Sequence, residues 1–526
     1  MRTALLLFTL ALSIPAWAEK TFVYCSEASP SSFNPQMAED GPTFNAASEM
    51  LYNRLTDFEE GGTKVIPGLA ERWDISKDGK TYTFYLRKNV TFHTTDYFKP
   101  TRPMNADDVI FSYERAIRKD NPFHKVNGGN YPYFLSLDFP KLIRSIKKID
   151  EHTVQFQLEK PEAPFLADVA ASFAVVMSKE YADQLLKNKT PEKIDTEPVG
   201  TGPFILKRYV KDNTIRYEAH PNYFLGRAKL DKVVFAITPD ASVRFQKLKA
   251  GECHLIAEPS PQDLKVMGTH PKVNLVSKPG ANVGYLAINV SKKPLDKLEV
   301  RQAIAHALNR ENYLQVVYQG TASLAGSPIP PTVWGAAQDA RGPEYNIEKA
   351  RTLMKQAGLE KGFDVELWTL PVSRPYNPNG KKMGELMQAD LAKIGIRVKL
   401  VTYDWPTYLS KMRQGEHQLL QMGWTTDNGD PDNFMGTLLS CAAVQGGANV
   451  ARWCDQEYDK IVSKARVLSD VKARTVEYLK AQKLFVEKTP WVPLAHAMVF
   501  RGLAKNVEGY RISPLGTEDL YPIDLK

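Results

Sequence analysis

The chain has 526 residues, 43% of them hydrophobic and 24% charged, with a formal net charge of +8. At roughly 150 residues per domain, this length predicts about three compact units rather than one core. The composition is that of a globular protein, which argues against a disordered, collagenous or polytopic membrane protein. The basic residues form no long run and no aromatic-interleaved motif, so nucleic acid is not expected as a partner.

The N-terminus has the pattern of a cleavable export signal. Arg2 is followed by a mostly apolar stretch from Ala4 to Ile14, then Pro15 and the small-residue triplet Ala16-Trp17-Ala18. Residues 1–18 are therefore predicted to be a signal peptide, cleaved before Glu19. The stretch is too short to cross a hydrocarbon layer of ~30 Å, and no Cys follows the cleavage site. We expect a periplasmic protein that is not a lipoprotein.

Helices and strands are mixed along the chain. Alternation of apolar and polar residues predicts one strand over 80–86 and a second over 153–158. Between them, Asn105 is placed to cap a helix. Helical periodicity follows over 300–309 and over 347–357, the latter ending at Gly358. Such a mixture predicts α/β or α+β layering.

The four cysteines are predicted to form two disulfides. Cys25, Cys253, Cys441 and Cys454 are an even number in an oxidising compartment, where three pairings are possible. The short separation of Cys441 and Cys454 favours that pair and leaves Cys25 for Cys253. A metal site is the other interpretation, but no Cys-x-x-Cys or nearby His pair supports it.

Known catalytic motifs are missing from the sequence. It contains no Gly-x-Ser-x-Gly elbow, no His-Glu-x-x-His, no phosphate-binding Gly-x-x-x-x-Gly-Lys and no dinucleotide-binding turn. A site assembled from distant residues would leave no local pattern. The sequence nevertheless favours a protein that is not an enzyme and needs no cofactor or metal.

Two segments stand out as candidate ligand-binding loops. The segment 422–434 combines three carboxylates with turn-forming residues. It can be a solvated turn, a calcium loop with the wrong spacing, or a carboxylate anchor for a ligand ammonium group. The segment 372–378 is a proline-stiffened loop that presents Arg374 and Tyr376.

The sequence resembles the periplasmic dipeptide-binding proteins of ABC importers, within the peptide and nickel receptors of solute-binding protein family 5. The resemblance covers the chain from about Lys20 to its end. Its markers are Val65-Ile66-Pro67-Gly68-Leu69-Ala70-Glu71-Arg72-Trp73, Asn105-Ala106-Asp107-Asp108-Val109, Gly200-Thr201-Gly202-Pro203-Phe204, Arg374-Pro375-Tyr376-Asn377-Pro378 and Gly423-Trp424-Thr425 running into Asp427-Asn428-Gly429-Asp430-Pro431-Asp432. The last two markers, with the four cysteines, point to the dipeptide subgroup.

This resemblance implies a two-lobed α/β periplasmic binding protein fold of class II, cluster C, with an additional third domain. Domain I would comprise residues 19–52, 202–278 and 498–526, and would form the first lobe. Domain II, residues 53–201, would be the extra domain attached to that lobe. Domain III, residues 279–497, would form the second lobe. The disulfides implied are Cys25–Cys253 and Cys441–Cys454.

The resemblance also implies a ligand site. Asp427 matches the carboxylate that binds the peptide ammonium group, and Arg374 matches the partner of the peptide carboxylate. Backbone groups near Gly423 and Thr425 on one lobe, and near Gly41 and Thr43 on the other, would pair with the peptide backbone. Tyr376, Trp405 and Trp424 would wall the side-chain pockets, although each of these aromatics can equally be a core residue.

By resemblance, the function is that of a receptor that captures dipeptides, and some tripeptides, between two lobes and delivers them to an inner-membrane ABC permease and its ATPase. A chemoreceptor is a further partner, and the family expectation is a monomer. The alternatives keep the fold and change the cargo to haem, an antimicrobial peptide, a glutathione-like peptide or a nickel complex. An exported peptidase is the remaining hypothesis.

Overall fold

The computed structural model describes residues 19–340 and 342–526. The predicted signal peptide, residues 1–18, lies outside the described residues. Within the described ranges, no helix is both long and apolar enough to cross a membrane.

The strands in chain order are β1 Thr21–Ser26, β2 Thr56–Phe58, β3 Val65–Pro67, β4 Ala70–Ile75, β5 Thr81–Leu86, β6 Ile143–Asp150, β7 Thr153–Leu158, β8 Phe204–Val210, β9 Thr214–Ala219, β10 Lys232–Ile237, β11 Leu255–Ile256, β12 Val273–Pro279, β13 Asn282–Ile288, β14 Ala322–Leu324, β15 Asp364–Trp368, β16 Arg397–Val401, β17 Leu419–Thr425, β18 Trp491–Ala504, β19 Val507–Glu508 and β20 Asp524–Leu525.

The α-helices are α1 Gly41–Thr43, α2 Glu49–Leu51, α3 Ala106–Ile117, α4 Pro132–Ser136, α5 Phe139–Leu142, α6 Phe165–Asp168, α7 Lys179–Lys187, α8 Ala241–Ala250, α9 Leu264–Thr269, α10 Leu298–Ala307, α11 Arg310–Tyr313, α12 Ile347–Gln356, α13 Gly380–Ala392, α14 Trp405–Gln414, α15 Asp432–Leu439, α16 Cys441–Gly446, α17 Gln456–Val467 and α18 Val471–Lys488. A π-helical stretch, Phe44–Ser48, joins α1 to α2.

Local sequence signals account for several of these elements. The predicted cap of α3 is confirmed, because the Asn105 side chain accepts the Asp107 N–H and the Asp108 carboxylate accepts the Asn105 N–H. Strand β7 matches its prediction, and β5 begins one residue later than predicted. Helix α10 ends before the predicted Asn309, because that side chain caps the next helix by accepting the Asn312 N–H.

One sheet contains twelve strands, drawn from β1 to β18 of the chain. Its order is β16-β15-β17-β13-β18-β11-β1-β10-β9-β8, with β12 and β14 also paired to β18. A separate antiparallel sheet, β4-β5-β7-β6, lies within the segment 70–158. This mixed α/β, multidomain architecture confirms the predicted fold class.

Two adjacent chain segments connect the two parts of this sheet. The 14-residue strand β18 pairs with β13 through its first half and with β12 through its second half. Strands β12 and β13 are themselves joined by residues 280–281. The buried Asn282 side chain braces this point, donating to the Ala497 carbonyl at 3.0 Å and accepting the Ala497 N–H at 2.9 Å. The β12–β13 junction and the middle of β18 are therefore bonded to each other at one place in the sheet.

Both disulfides occur with the expected partners. Cys25 in β1 pairs with Cys253 across 228 residues of sequence, and their Cα atoms lie 5.9 Å apart. Cys441 at the start of α16 pairs with Cys454, with a Cα separation of 4.6 Å. No cysteine within the described residues is free.

Candidate functional site

The walls of one cavity come from distant parts of the chain, from Tyr24 to Thr517. We call it the central cavity. Eight of the nine residues predicted to bind ligand line it: Gly41, Arg374, Tyr376, Trp405, Gly423, Trp424, Thr425 and Asp427. The fold therefore brings both predicted charged residues, Arg374 and Asp427, to one cavity.

Thr43 does not line the central cavity. Its side chain is fully buried, and its N–H and hydroxyl both donate to the Asp40 carboxylate, at 3.0 Å each to the same oxygen. Its hydroxyl also accepts the Ser31 N–H at 2.8 Å. These bonds leave the Thr43 N–H committed to capping α1, so of this pair only Gly41 contributes to the lining.

Asp427 follows β17, and its carboxylate is held by two neutral donors. The Tyr133 hydroxyl donates to one oxygen at 3.0 Å, and the Asn433 amide donates to the other at 2.9 Å. Asn433 is fixed in turn, because its side-chain oxygen accepts the Trp424 indole N–H at 2.8 Å and the Asp427 backbone N–H at 2.9 Å. The carboxylate is thereby oriented before any ligand binds.

The electrostatic environment of Asp427 favours a positively charged ligand group. Burial raises the pKa of Asp427 to about 7, the hydrogen bonds from Asn433 and Tyr133 lower it, and the nearby charge of Glu39 raises it. Among the described residues, no Lys, Arg or His lies within ion-pair distance of this carboxylate. An ammonium group bound here would supply the missing charge.

Arg374 is positioned differently. One guanidinium nitrogen, Nη1, donates to Glu27 at 2.9 Å, and the guanidinium carbon lies 4.7 Å from the centre of the Trp405 ring. The other nitrogen, Nη2, is buried and has no hydrogen-bond partner within the described structure. A buried donor without a partner is costly, so this nitrogen is suited to an acceptor supplied by a ligand.

Tyr376 packs on the sheet at a pair of glycines. Gly284 of β13 and Gly423 of β17 are opposite each other in register. A Cβ at Gly423 would lie 2.1 Å from the Tyr376 ring, and one at Gly284 would lie 2.2 Å from the Tyr376 carbonyl. That carbonyl also accepts the Tyr318 hydroxyl at 2.6 Å. The glycines therefore let the 372–378 loop lie directly on the sheet.

One edge of β17 is open beside the cavity. Strand β15 pairs with β17 only at Leu419 and Leu420. On the other side, the Thr426 N–H donates to Ala281. Backbone groups alternate in direction along a strand, so those of Gly423 and Thr425 point to the open edge. An extended ligand could pair there as an added strand.

The remaining carboxylates of the 422–434 segment are already paired. Asp430 forms two hydrogen bonds with Arg474, at 2.7 and 2.8 Å, and Asp432 forms two with Arg466, at 2.9 and 2.8 Å. Within the described ranges, no group of three or more His, Cys, Asp or Glu residues is placed to hold a metal ion. Asp427 is the carboxylate of this segment that reaches the cavity.

Sequence reasoning missed several lining residues, above all Tyr133 and Glu27. Each touches a predicted site residue, but Tyr133 is 294 positions from Asp427 and Glu27 is 347 positions from Arg374. Neither lies in a motif. For Glu27, the one weak local signal of a site residue is an acidic side chain directly after a strand.

Comparisons with known proteins identify the family of the chain. The model of the family "Bacterial extracellular solute-binding proteins, family 5 Middle" matches residues 64–446. The Dipeptide-binding protein of Escherichia coli (strain K12) is 50% identical over 513 residues, covering 98% of this chain and 95% of the relative. Heme-binding protein A of Haemophilus influenzae is 43% identical over 508 residues, covering 97% of this chain and 93% of the relative.

A solved structure extends the similarity to three dimensions. The dipeptide binding protein from Pseudoalteromonas sp. SM9913 in complex with Met-Leu matches with a TM-score of 0.94 and 42% identity, covering 96% of this chain and all of that one. The family match spans most of the chain and the relatives span nearly all of it. The chain therefore belongs to the bacterial extracellular solute-binding proteins of family 5, as the sequence resemblance predicted.

Proposed function

We propose that the protein is a periplasmic receptor that captures dipeptides in the central cavity and delivers them to an inner-membrane ABC importer. The observation that carries this proposal is the pair of incomplete charged groups in one cavity. Asp427 is a carboxylate without a cation, and Arg374 has a buried N–H without an acceptor. The peptide-binding relatives support the same cargo.

A dipeptide matches these two groups because it is a zwitterion of fixed backbone length. Its ammonium and carboxylate groups keep nearly the same separation whatever its side chains are. A site that binds both ends therefore selects length and remains indifferent to sequence. The open edge at Gly423 and Thr425 supplies partners for the peptide amides once water is excluded.

The roles of the individual residues follow from this proposal. Asp427 binds the peptide ammonium group and Arg374 binds the peptide carboxylate, while Gly41 approaches from the other lobe. Tyr376, Trp405 and Trp424 belong to the buried core and also line the cavity, which supports their role as side-chain pocket walls. The disulfides stabilise the lobes.

We extend the proposal to the domain division and partners given by the resemblance. Domain I (19–52, 202–278, 498–526) and domain III (279–497) close on the ligand by hinge motion, and domain II (53–201) is attached to the first lobe. The crossings at residues 280–281 and at Ala497 support this division. The mature protein is exported, monomeric and without catalytic activity, and it serves the importer and a chemoreceptor.

Haem is the second cargo to test, because a relative that covers most of this chain is named a heme-binding protein. The central cavity offers no His or Cys among its lining residues, so an axial iron ligand would have to come from Met422 or a tyrosine. The charged pair of the cavity matches a small zwitterion better.

Native mass spectrometry of protein purified from the periplasm without refolding, followed by calorimetry, tests the cargo. The ligands are Ala-Ala, N-acetyl-Ala-Ala and Ala-Ala amide. Tight binding of Ala-Ala, with large losses for both blocked peptides, is the expected result. Absence of Ala-Ala binding, or a co-purified haem mass, would contradict the dipeptide proposal. Release of free amino acids during long incubation would contradict the proposed lack of catalysis.

A further inference from the structure

The residue that follows Asp427 attaches the anchor loop to a distant part of the chain. The Asn428 side chain is buried and donates to one carboxyl oxygen of Asp168, Oδ1, at 2.8 Å, although the two residues are 260 positions apart. The side-chain oxygen of Asn428 accepts the Asp430 N–H at 2.9 Å. Both polar groups of the Asn428 amide are therefore occupied, directly beside the proposed ammonium anchor.

Asp168 is a buried carboxyl group with one unused oxygen. It is the last residue of α6 and is 2% exposed. Its second oxygen, Oδ2, is buried and has no hydrogen-bond partner within the part of the chain that the structure describes. No Lys, Arg or His among the described residues lies within ion-pair distance of either oxygen. An ionised carboxylate here would be buried without a compensating charge, which is costly.

The charged groups around Asp168 also disfavour its ionisation. Burial raises the pKa of Asp168 well above its usual range. The charges of three neighbouring carboxylates raise it further: Asp432, Glu162 and Asp430. Arg466 lowers it, but this arginine already binds Asp432 through two hydrogen bonds, at 2.9 and 2.8 Å. Both burial and the neighbouring charges favour the protonated form of Asp168.

Two tyrosines complete the surroundings of Asp168. Burial raises the pKa of Tyr113 in α3 and of Tyr82 in β5, and the charge of Asp168 contributes to both shifts. The Tyr113 hydroxyl is buried without a hydrogen-bond partner in the described structure, whereas the Tyr82 hydroxyl donates to the Glu162 carbonyl at 3.2 Å. Both hydroxyls are neutral, so neither supplies a positive charge to Asp168.

Further contacts hold the segment 132–168 against the anchor loop and its arginine. The Tyr133 hydroxyl donates to Asp427 at 3.0 Å. The Ala163 N–H donates to the Arg466 carbonyl at 2.7 Å, and the Glu162 carboxylate lies 3.5 Å from the Arg466 side chain. The bond between Asp168 and Asn428 therefore belongs to an extended contact.

We propose that Asp168 is a positioning residue of the ammonium site: as a neutral carboxylic acid, it accepts the Asn428 amide and keeps the 427–432 loop in the conformation that presents Asp427 to the ligand. This inference rests on the proposed function, because it takes Asp427 as the ammonium anchor. Asp168 does not line the central cavity, so it acts on the ligand only through the loop. Ionisation of Asp168 would add a negative charge beside the acidic residues of the loop and weaken this support.

Two substitutions of Asp168 separate its hydrogen bond from its charge. Asp168→Asn keeps a side-chain oxygen for Asn428 and cannot ionise, so it mimics the protonated acid. Asp168→Leu is similar in size and removes the acceptor. Both variants of the full-length mature protein are titrated with Ala-Ala by calorimetry at pH 7, with and without Asp427→Asn. Thermal unfolding followed by circular dichroism shows whether each variant is folded. Asn428→Ala, which removes the donor of the same bond, replaces Asp168→Leu if that variant does not fold.

Asp168→Leu is expected to weaken Ala-Ala binding at least fivefold, because the Asn428 amide loses its acceptor and the loop loses its support. Asp168→Asn should retain an affinity within a factor of two of the wild type. In the Asp427→Asn background, Asp168→Leu should cause no further loss, whereas a general destabilisation of the protein would weaken binding in both backgrounds.

Infrared spectroscopy measures the protonation state without a ligand. The difference spectrum between the wild type and Asp168→Asn at pH 7 should contain the carbonyl band of a protonated carboxylic acid. The bands of an ionised carboxylate in its place would overturn the neutral state assigned to Asp168.

Equal affinity losses for Asp168→Asn and Asp168→Leu, no loss for Asp168→Leu, or the same loss in the Asp427→Asn background would overturn the positioning role. Failure of the wild-type protein to bind Ala-Ala would instead overturn the proposed function. That outcome is recognised before any variant is titrated.

Discussion

The two ends of the central cavity satisfy their charged residues in different ways. At one end, the hydrogen bonds that the Asp427 carboxylate receives from the described residues come from the neutral groups of Tyr133 and Asn433. At the other end, Arg374 is already paired with Glu27, and its second nitrogen, Nη2, is buried without a hydrogen-bond partner among the described residues.

This difference predicts unequal contributions to ligand affinity. A ligand ammonium group neutralises a partly buried carboxylate that has no cation partner among the described residues. A ligand carboxylate joins an arginine whose charge is already balanced, and it must also approach Glu27. We therefore expect the ammonium end to provide more binding free energy than the carboxylate end, although both ends are needed to select peptide length.

The largest expected effect comes from Asp427→Asn. It removes the charge but keeps the shape and the Tyr133 contact, so dipeptide binding should weaken by about 3 kcal/mol or more. Calorimetry with Ala-Ala measures the loss. N-acetyl-Ala-Ala is the matched control, because a ligand without an ammonium group should lose little. A change of less than threefold for Ala-Ala would mean that Asp427 is not the anchor.

A smaller effect is expected at the other end. Arg374→Gln should weaken Ala-Ala binding by about 2 kcal/mol and bring its affinity close to that of Ala-Ala amide. Because this variant leaves Glu27 without a cation, Glu27→Gln/Arg374→Gln is the control that restores charge balance. If either variant still prefers the free carboxylate as strongly as the wild type, that role belongs to another residue.

Binding should also depend on pH through Asp427. With a pKa near 7 in the unliganded protein, this carboxyl becomes protonated as the pH falls below 7, whereas the ammonium complex requires it ionised. Binding therefore releases a proton, and affinity should fall by up to tenfold per pH unit between pH 7 and 5. The peptide's own ammonium group, with a pKa of about 8, stays charged throughout. In Asp427→Asn, the affinity should depend only weakly on pH. A wild-type affinity that does not change between pH 7 and 5 would contradict the assignment of Asp427 as the titrating anchor.

The contrast between the two ends also shows what the sequence could reveal. The start of α3 at Asn105 and the end of α12 before Gly358 are determined by residues close in sequence. Such helix ends can therefore be predicted from the sequence alone. The candidate roles of Asp427 and Arg374 came from motifs shared with a family.

The residues that contact Asp427 and Arg374 could not be identified from any sequence motif. Tyr133 and Glu27 meet their partners only through tertiary contacts between distant segments. Thr43 illustrates the converse. It is a polar residue next to the site, but its N–H and hydroxyl are bonded to Asp40, the cap of α1, and its hydroxyl also accepts the Ser31 N–H.

The smallest expected effect tests one of these unforeseen contacts. Tyr133 stacks on Phe173, with ring centres 4.7 Å apart, so Tyr133→Phe should keep the packing and remove only the hydrogen bond to Asp427. Dipeptide affinity at pH 7 should fall by about 1 kcal/mol. Because this hydrogen bond lowers the pKa of Asp427, its loss should also move the pH midpoint of binding upwards.

The pH midpoint separates this role from simple packing. In the Asp427→Asn background, Tyr133→Phe should cause no further loss and no pH shift, because the bond then has no ionised partner. An equal loss in both backgrounds, or an unshifted midpoint, would assign Tyr133 to packing alone. An upward shift would mean that the segment predicted as domain II tunes the ammonium end, so that this end is assembled from more than the two lobes that close on the peptide.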